Sequence, residues 1–411
     1  MNILLINHYA GSPKLGMEYR PYSFAKEWIK NGHKVTIVAS SYAHVRVMQP
    51  EVNKKLSKEL IDSIEYYWIK TPAYKGNGIG RLFNIFSFIS FLWRKSKFFI
   101  RNNNPDIVIA SSTYPLDIYP AYRMAKLSGA KLVYEVHDLW PLTLIELGNM
   151  SKYNPLIILF QIAENFAYKK SDKIISLLPK AKAHMQQHGL RPDKFVYIPN
   201  GINSEDWKNK IPLPNSYKEK IDGLKKQNKF LICYTGAHGV ANALDSFIKA
   251  AAYIRDFPIH LLLIGKGPDR DKLIELAKYN NFNNVSFMEA VTKKEISSIL
   301  ILMDVLYIGF LNLPIYRFGI SPNKLLDYMM AGIPIIQSVG SGNDLVTEVG
   351  CGLTVEPENS ESIANAMIKL YRMTPEERQT MGKAGHDYVI KNHEYKVLAE
   401  KFLNAITGNT L

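Results

Sequence analysis

Met1-Asn-Ile-Leu-Leu-Ile-Asn-His8, Gly16-Met-Glu-Tyr-Arg-Pro-Tyr-Ser-Phe-Ala-Lys-Glu-Trp-Ile-Lys30 and Gly32-His-Lys-Val-Thr-Ile-Val-Ala39 are the pieces of the N-terminal stretch whose reading decides the fold. The apolar run at 3–7 suits a buried strand, the segment from Gly16 to Lys30 reads as a helix ended by Asn31-Gly32, and Lys34 to Ala39 is the next strand. A strand, a helix and a strand in so short a span make a βαβ unit, with the loop His8 to Leu15 at the carboxyl end of its first strand.

The pattern repeats outward from there. Strands are expected at 64–69, 107–110, 131–136, 173–178 and 195–198, with helical patterns between most of them, so the first half is predicted to be a doubly wound, mainly parallel sheet. Tyr197-Ile-Pro-Asn-Gly-Ile-Asn203 is turn chemistry, and the lysine-rich stretch 204–229 after it marks a boundary. Strands recur at 230–235, 260–264, 285–288, 304–308, 333–337 and 353–355, separated by helices near 242–254, 269–279, 293–302, 322–331 and 361–372. The fold class is therefore α/β, two doubly wound Rossmann-like domains. We expect a first domain over 1–205, a second over 206–390, and a closing helix over 391–411 for which a return to the first domain is one placement.

A chain of 411 residues with 47% hydrophobic residues can bury two cores. Residues 1–200 hold 27 Lys and Arg against 14 Asp and Glu, whereas residues 201–411 hold 24 against 23. A basic first half suits nucleic acid, an anionic membrane surface or a phosphorylated ligand, with a solvated basic face as the plain alternative. The segment 66–105 has no acidic residue, and its core Leu82 to Trp93 is flanked by Arg81, Arg94, Lys95, Lys97 and Arg101. With Phe86 and Trp93 it reads either as a membrane-facing helix or as a buried one. No leader peptide or spanning helix is expected, which predicts a cytoplasmic chain, and Cys233 and Cys351 are expected as buried thiols.

Tyr316-Arg-Phe-Gly-Ile-Ser-Pro-Asn-Lys-Leu-Leu-Asp-Tyr-Met-Met-Ala-Gly-Ile-Pro334 carries the densest candidate chemistry. Ser321 is expected as N-cap and Pro322 as the first helical residue, which places Asn323 and Lys324 beside unpaired N–H groups at the positive end of a helix. Asp327 projects from the same side and can accept bonds from sugar hydroxyls. The same residues fit an ordinary capped helix. Gly236 and Gly239, and Gly265 one strand later, lie in glycine turns suited to phosphate. His137 and Asp138 end a strand, where they suit either charge stabilisation or a structural role. There is no Walker A sequence, no Gly-x-Gly-x-x-Gly after a strand, no His-Glu-x-x-His and no Cys cluster, which argues against NTPase, dehydrogenase and metalloenzyme chemistry.

Four stretches together resemble the retaining GT-B glycosyltransferases of family 4, which use nucleotide-diphosphate sugars: Gly16-Met-Glu18 followed by Gly32-His-Lys-Val, Glu135-Val-His-Asp138, Ile198-Pro-Asn-Gly201 and Ser321 to Gly332. The similarity extends to a branch building bacterial O-antigen or capsule, marked by His8 to Pro13, Met17-Glu-Tyr-Arg-Pro21 and Ser40 to Arg46. That resemblance implies two domains facing across a cleft and transfer of an N-acetylated deoxyhexose, such as N-acetylfucosamine, from a UDP-sugar to a polyprenyl-diphosphate-linked saccharide.

By the same resemblance, Gly16, Gly236, Gly239, Gly265, Gly319, Ser321, Asn323, Lys324 and Asp327 would meet the donor, His137, Asp138 and Lys324 would serve catalysis, and Glu18, Arg20, His44 and Arg46 the acceptor. Gly319 stands where the family has its first acid, and Ala237 and Asn242 stand where it places an Arg and a Lys, so Lys324 becomes the substitute cation, with Arg317 and Lys266 behind it. No metal or other cofactor and no nucleic acid is expected, and the protein would sit peripherally on the inner face of the cell membrane. A nucleotide-sugar 2-epimerase and a non-enzymatic basic binding protein are the alternatives.

Overall fold

A computed structural model describes residues 1–17, 19–76, 78–208 and 211–408 and divides the chain into two compact units. The first comprises Met1–Asn200 with the segment from Tyr395 onward, and the second Gly201–Glu394.

The first unit is built on an eight-stranded sheet of β1 (Asn2–Ile6), β2 (Lys34–Ser40), β3 (Leu56–Ile61), β4 (Ile64–Ile69), β5 (Ile107–Ala110), β6 (Lys131–Val136), β7 (Lys173–Ser176) and β8 (Phe195–Tyr197). Their order is β3-β4-β2-β1-β5-β6-β7-β8. All neighbours are parallel except β3 and β4, a hairpin turned by Asp62 and Ser63, both at positive φ. Sequence reading missed β3, a partly exposed edge strand whose Leu56-Ser-Lys-Glu-Leu-Ile61 lacks a buried face to give it alternation. The first helix, Tyr19–Lys30, starts later than expected, because Gly16 and Met17 at φ 73° and 45° cannot join a right-handed helix.

One side of this sheet is closed by Tyr19–Lys30 and the C-terminal helix Tyr395–Thr407. Phe24 and Trp28 stack on each other, Phe402 meets Trp28 edge to face and Phe24 at a tilt, and Trp28 Nε1 donates to the Ala399 carbonyl at 3.1 Å. Full burial of such aromatics contributes about 1.5–3 kcal/mol each. On the sheet's helices Ile79–Asn103, Ile118–Ser128 and Pro155–Lys170, the apolar positions divide between core and solvent.

The second unit has six parallel strands, β9 (Phe230–Thr235), β10 (Ile259–Ile264), β11 (Val285–Met288), β12 (Val305–Gly309), β13 (Ile335–Ser338) and β14 (Gly352–Val355), ordered β11-β10-β9-β12-β13-β14. Leu231 and Cys233 pack into one face and Ile232 and Tyr234 into the other, which is why this strand reads as a continuous apolar run. The order reverses direction at β9 and β12, so the loops after those strands flank a switch point, the place where such sheets gather ligands. Cys233 and Cys351 are buried free thiols.

Candidate functional site

In the second unit, the turn after β9 and the turn after β10 interlock because they are made of glycine. A Cβ on Gly265 would stand 1.8 Å from the Gly236 carbonyl oxygen, and one on Gly267 would stand 2.2 Å from that of His238. His238 N–H donates to the Lys266 carbonyl, and its own carbonyl accepts from Asp269 N–H. The His238 ring is fully buried beneath this crossing, and burial, then the Arg270 and Lys324 charges, push its pKa down to about 4. Gly239 differs: its φ is extended and a Cβ there would meet open space, so nothing in the backbone requires glycine at that position.

Lys324 lies across the first of these turns. Its ammonium stands 3.8 Å from the centroid of the Tyr234 ring, and a Cβ on Gly236 would fall 2.8 Å from Lys324 Nζ. Burial pushes the Lys324 pKa down to about 7. Tyr234 is held in turn by its hydroxyl, which donates to the Ala237 carbonyl at 2.7 Å, and Asn242 donates to the same carbonyl at 3.0 Å. Ala237 and Asn242 thus build the turn.

The helix bearing Lys324 runs Asn323–Met330, and its N-cap is Pro322, with extended ψ of 128° and no side-chain cap bond. The expected N-cap Ser321 is therefore one residue outside the cap. Asn323 is exposed in the first turn, where the N–H groups have no intrahelical partner. Asp327 is not open as expected: Lys293 Nζ bonds its Oδ1 at 2.6 Å and reaches its Oδ2 as well. Sequence reading overlooked Lys293, whose partner lies 34 positions away. Gly319 has φ 97° and ψ 170°, a region essentially confined to glycine, which gives a physical reason why no acid stands there. Its loop is clamped by Asn343, which accepts from Ile320 N–H at 2.8 Å and donates to the Ile320 carbonyl at 3.1 Å. Arg317 is exposed over Phe318, and Lys266 is exposed.

In the first unit, His137 and Glu135 leave β6 on one face, two residues apart, and meet Ser111 at the end of β5. Ser111 Oγ donates to Glu135 Oε2 at 2.6 Å and lies 3.1 Å from His137 Nε2. Because the hydroxyl proton goes to Glu135, its oxygen accepts from His137, which assigns the proton to Nε2. Arg20 Nε donates to Glu135 Oε1 at 3.0 Å, and its other nitrogens donate to the Pro199 and Ile198 carbonyls. Burial alone would raise the Glu135 pKa, but Arg20, His137 and Ser111 hold it down at about 2.

Arg20, expected at the acceptor, is 5% exposed, and its Nε, Nη1 and Nη2 all donate to Glu135 or the Ile198 and Pro199 carbonyls. Glu135 and Ser111 are the residues that sequence reading missed, although the strand's two-residue period could have paired Glu135 with His137. Asp138 is exposed at the strand end. Gly16, at φ 73°, has Val47 where its side chain would be, so its closest packing is to its own neighbouring loop. Glu18 lies outside the described residues.

Of the remaining acceptor candidates, His44 is exposed, with Nδ1 2.6 Å from the Tyr74 hydroxyl. Arg46 is buried, stacks 5.2 Å over Trp68 and donates through Nη2 to the Ser40 carbonyl at 2.6 Å. On the helix Ile79–Asn103, Ile85, Phe88, Leu92 and Phe99 are buried, whereas Ile79, Phe83, Phe86 and Trp93 face out beside exposed Arg94, Lys95 and Lys97. The helix is thus both a core helix and an apolar, cationic surface. Arg81 departs from that surface, since its guanidinium lies over the Tyr9 and Trp140 rings and bonds the Tyr9 hydroxyl at 3.0 Å. Among the described residues no helix is long and apolar enough to cross a membrane.

Residues 16–206 match the family described as Glycosyltransferase Family 4, and residues 229–373 match that described as Glycosyl transferases group 1. Over 303 residues, 69% of this chain and 70% of the other, the sequence is 23% identical to the protein assigned to colanic acid biosynthesis as glycosyl transferase WcaI in Escherichia coli (strain K12). The sucrose-phosphate synthase tll1590 from Thermosynechococcus elongatus is structurally similar with a TM-score of 0.74 at 15% identity, over 99% of both chains. Anabaena Alr3699/HepE, solved in complex with UDP and glucose, gives 0.68 at 13% identity over 99% of this chain and 100% of the other.

Proposed function

We propose that this chain, a glycosyltransferase of the GT-B fold with a family 4 match over residues 16–206 and a group 1 match over residues 229–373, transfers a sugar from a UDP-sugar to a polyprenyl-diphosphate-linked saccharide during bacterial surface polysaccharide synthesis. The observation that carries this reading is Lys324, a cation held over the glycine turns with the N–H groups of its own helix beside it. Such an arrangement suits a nucleotide diphosphate, whose charge grows as the sugar departs. The crystallised HepE binds UDP, and WcaI is assigned to a polysaccharide pathway, which supports the donor and the product class.

In this reading Asn323, Ser321 and the turns at Gly236, Gly265 and Gly319 line the donor, and Asp327, steered by Lys293, accepts bonds from the ribose. Lys324 takes up the charge of the departing diphosphate, and no metal cofactor is needed for that role. His137, oriented by Ser111 and the Glu135–Arg20 pair, faces the transferred sugar, for which an N-acetylated deoxyhexose such as N-acetylfucosamine is our choice. The acceptor hydroxyl attacks from the side the diphosphate leaves, with retention. The outward face of Ile79–Asn103 rests on an anionic membrane at the inner side of the cell.

The test is incubation with a panel of UDP-sugars and a synthetic polyprenyl-diphosphate saccharide, with and without chelator, followed by mass spectrometry of the lipid product. Glycosylated lipid formed at the same rate in chelator is expected. Epimerised donor appearing without acceptor would overturn the transferase reading in favour of an epimerase.

A further inference from the structure

We infer that the first unit contains an oxyanion subsite formed by Arg81, His44 and Arg46, and that its ligand is the diphosphate of a lipid-linked acceptor. The ligand's identity rests on the function proposed above, whereas the anion site stands on the geometry.

Arg46 is 4% exposed, yet only its Nη2 has a hydrogen-bond acceptor; Nε and Nη1 are buried without one. A buried cation is ordinarily paired with a carboxylate, because removing one from water without compensation is costly. Around Arg46 stand instead the Tyr66 and Tyr74 phenols, the Trp68 ring and the His8 imidazole. The acids of the adjoining hairpin are occupied elsewhere: Glu59 accepts from Trp68 Nε1 at 2.7 Å, Asp62 from the Tyr22 hydroxyl at 2.5 Å, and Glu65 pairs with Lys58 at 2.7 Å. Asp117, a buried acid of the same unit, accepts from Ser112 N–H at 2.9 Å, and burial pushes its pKa up to about 7, so it is only partly ionised.

A second guanidinium, Arg81, and the His44 imidazole gather with Arg46 around the buried His8 ring. The Arg81 guanidinium and the His44 ring both pack against Tyr9, at 5.6 Å and 5.8 Å. Burial and then Arg81 lower the His44 pKa; burial, then Arg46, Arg81 and His44, lower that of His8 to about 3, and its Nε2 is buried without a hydrogen-bond partner. The two guanidiniums repel one another, and an acceptor-only ligand with several oxygens would relieve that repulsion while accepting from the arginine forks. The loop bearing Arg46 also exposes Val47 and Met48, beside exposed Met17, and Leu15 ties the loops together by accepting from both Val47 and Met48 N–H. Apolar tips beside a basic site suit an oxyanion that carries a hydrocarbon chain.

The full chain, saturated with UDP, is titrated calorimetrically with inorganic pyrophosphate and farnesyl diphosphate, and floated with phosphatidylglycerol vesicles. Farnesyl diphosphate should bind more tightly than pyrophosphate, and Arg81→Gln should weaken both by about tenfold. Val47→Ser with Met48→Ser should weaken only farnesyl diphosphate. Arg46→Gln should weaken both ligands as well, and Arg81→Gln, at a partly exposed position, keeps the test decisive if the buried variant misfolds. Unchanged diphosphate affinity in folded Arg81→Gln overturns the site. Equal affinity for the two diphosphates overturns the lipid-linked ligand, as does Arg81-dependent vesicle binding without diphosphate binding, which would mark a headgroup site. Absence of sugar transfer alongside Arg81-dependent farnesyl diphosphate binding sinks the proposed function and leaves the subsite standing.

Discussion

The Lys324 ammonium lies 3.8 Å from the centre of the Tyr234 ring, on the one side of Gly236 where any other residue would place a Cβ. This contact joins β9 to the helix Asn323–Met330 and puts a mobile proton at the switch point of the second sheet.

Replacing Lys324 by Ala should reduce turnover by about a hundredfold or more, the scale seen when one charge-stabilising group is removed from a transition state. The fold should survive, since a desolvated cation adds little stability. Steady-state kinetics beside a thermal melt check this, and turnover within a few-fold of wild type would remove Lys324 from the mechanism.

Because burial lowers the Lys324 pKa to about 7, much of the free protein at pH 8.5 has this amine neutral. A bound diphosphate favours the charged form and raises that pKa, so binding UDP-glucose at pH 8.5 should take up roughly one proton, and at pH 6 almost none. Affinity is then highest below pH 7 and falls as pH rises through it. Calorimetry in buffers of different ionisation enthalpy reads the uptake directly, and wild type and Lys324→Ala should differ by that proton.

Much of this was legible in the sequence. Buried parallel strands such as Leu261 to Ile264 write themselves as apolar runs, and the strand-end glycines were visible because interlocking backbones tolerate nothing larger. What escaped were relationships fixed only by tertiary contact. Nothing local to Lys293 announces Asp327, and Arg20 looks like a surface cation until Glu135 is folded against it. Ser321-Pro322 reads as a cap followed by a first turn, yet the chain uses Pro322 itself as the extended cap residue. The hairpin strand Leu56–Ile61 was invisible because half-exposed edges carry a weak pattern.

Gly319→Ala should destabilise the protein by about 1–3 kcal/mol, the cost of placing a side chain at φ 97° and ψ 170°. Restoring the family's acid with Gly319→Glu should therefore lower the melting temperature and the activity together. A variant that melts with wild type would show that the loop adapts freely.

Glu135→Gln should cost about 3–5 kcal/mol, because it leaves Arg20 buried without its charge partner. The sign with pH follows from a folded pKa of about 2 against an ordinary 4.5: the carboxylate stabilises the protein above pH 4.5, and that contribution fades as pH falls toward 2. Denaturant melts across that window should show an acid limb in wild type that is reduced in the variant, and parallel curves would contradict the assignment.

Phe83→Ser with Trp93→Ser should weaken flotation with phosphatidylglycerol vesicles by about tenfold or more, since each removes apolar surface that is exposed in the free protein. Neutralising Arg94, Lys95 and Lys97 should weaken it chiefly at low salt. Unaltered flotation in both would assign the outward face another purpose.

The helix Tyr395–Thr407 belongs to the first unit although all of Gly201–Glu394 is translated before it. As the chain leaves the ribosome, Phe24 and Trp28 emerge before the second unit, while Ala399 and Phe402, which cover them, emerge after it. The second unit can thus finish folding while the first still shows an aromatic groove. A nascent chain arrested near residue 390 should be a chaperone client through that groove, and release of the helix Tyr395–Thr407 should end the dependence.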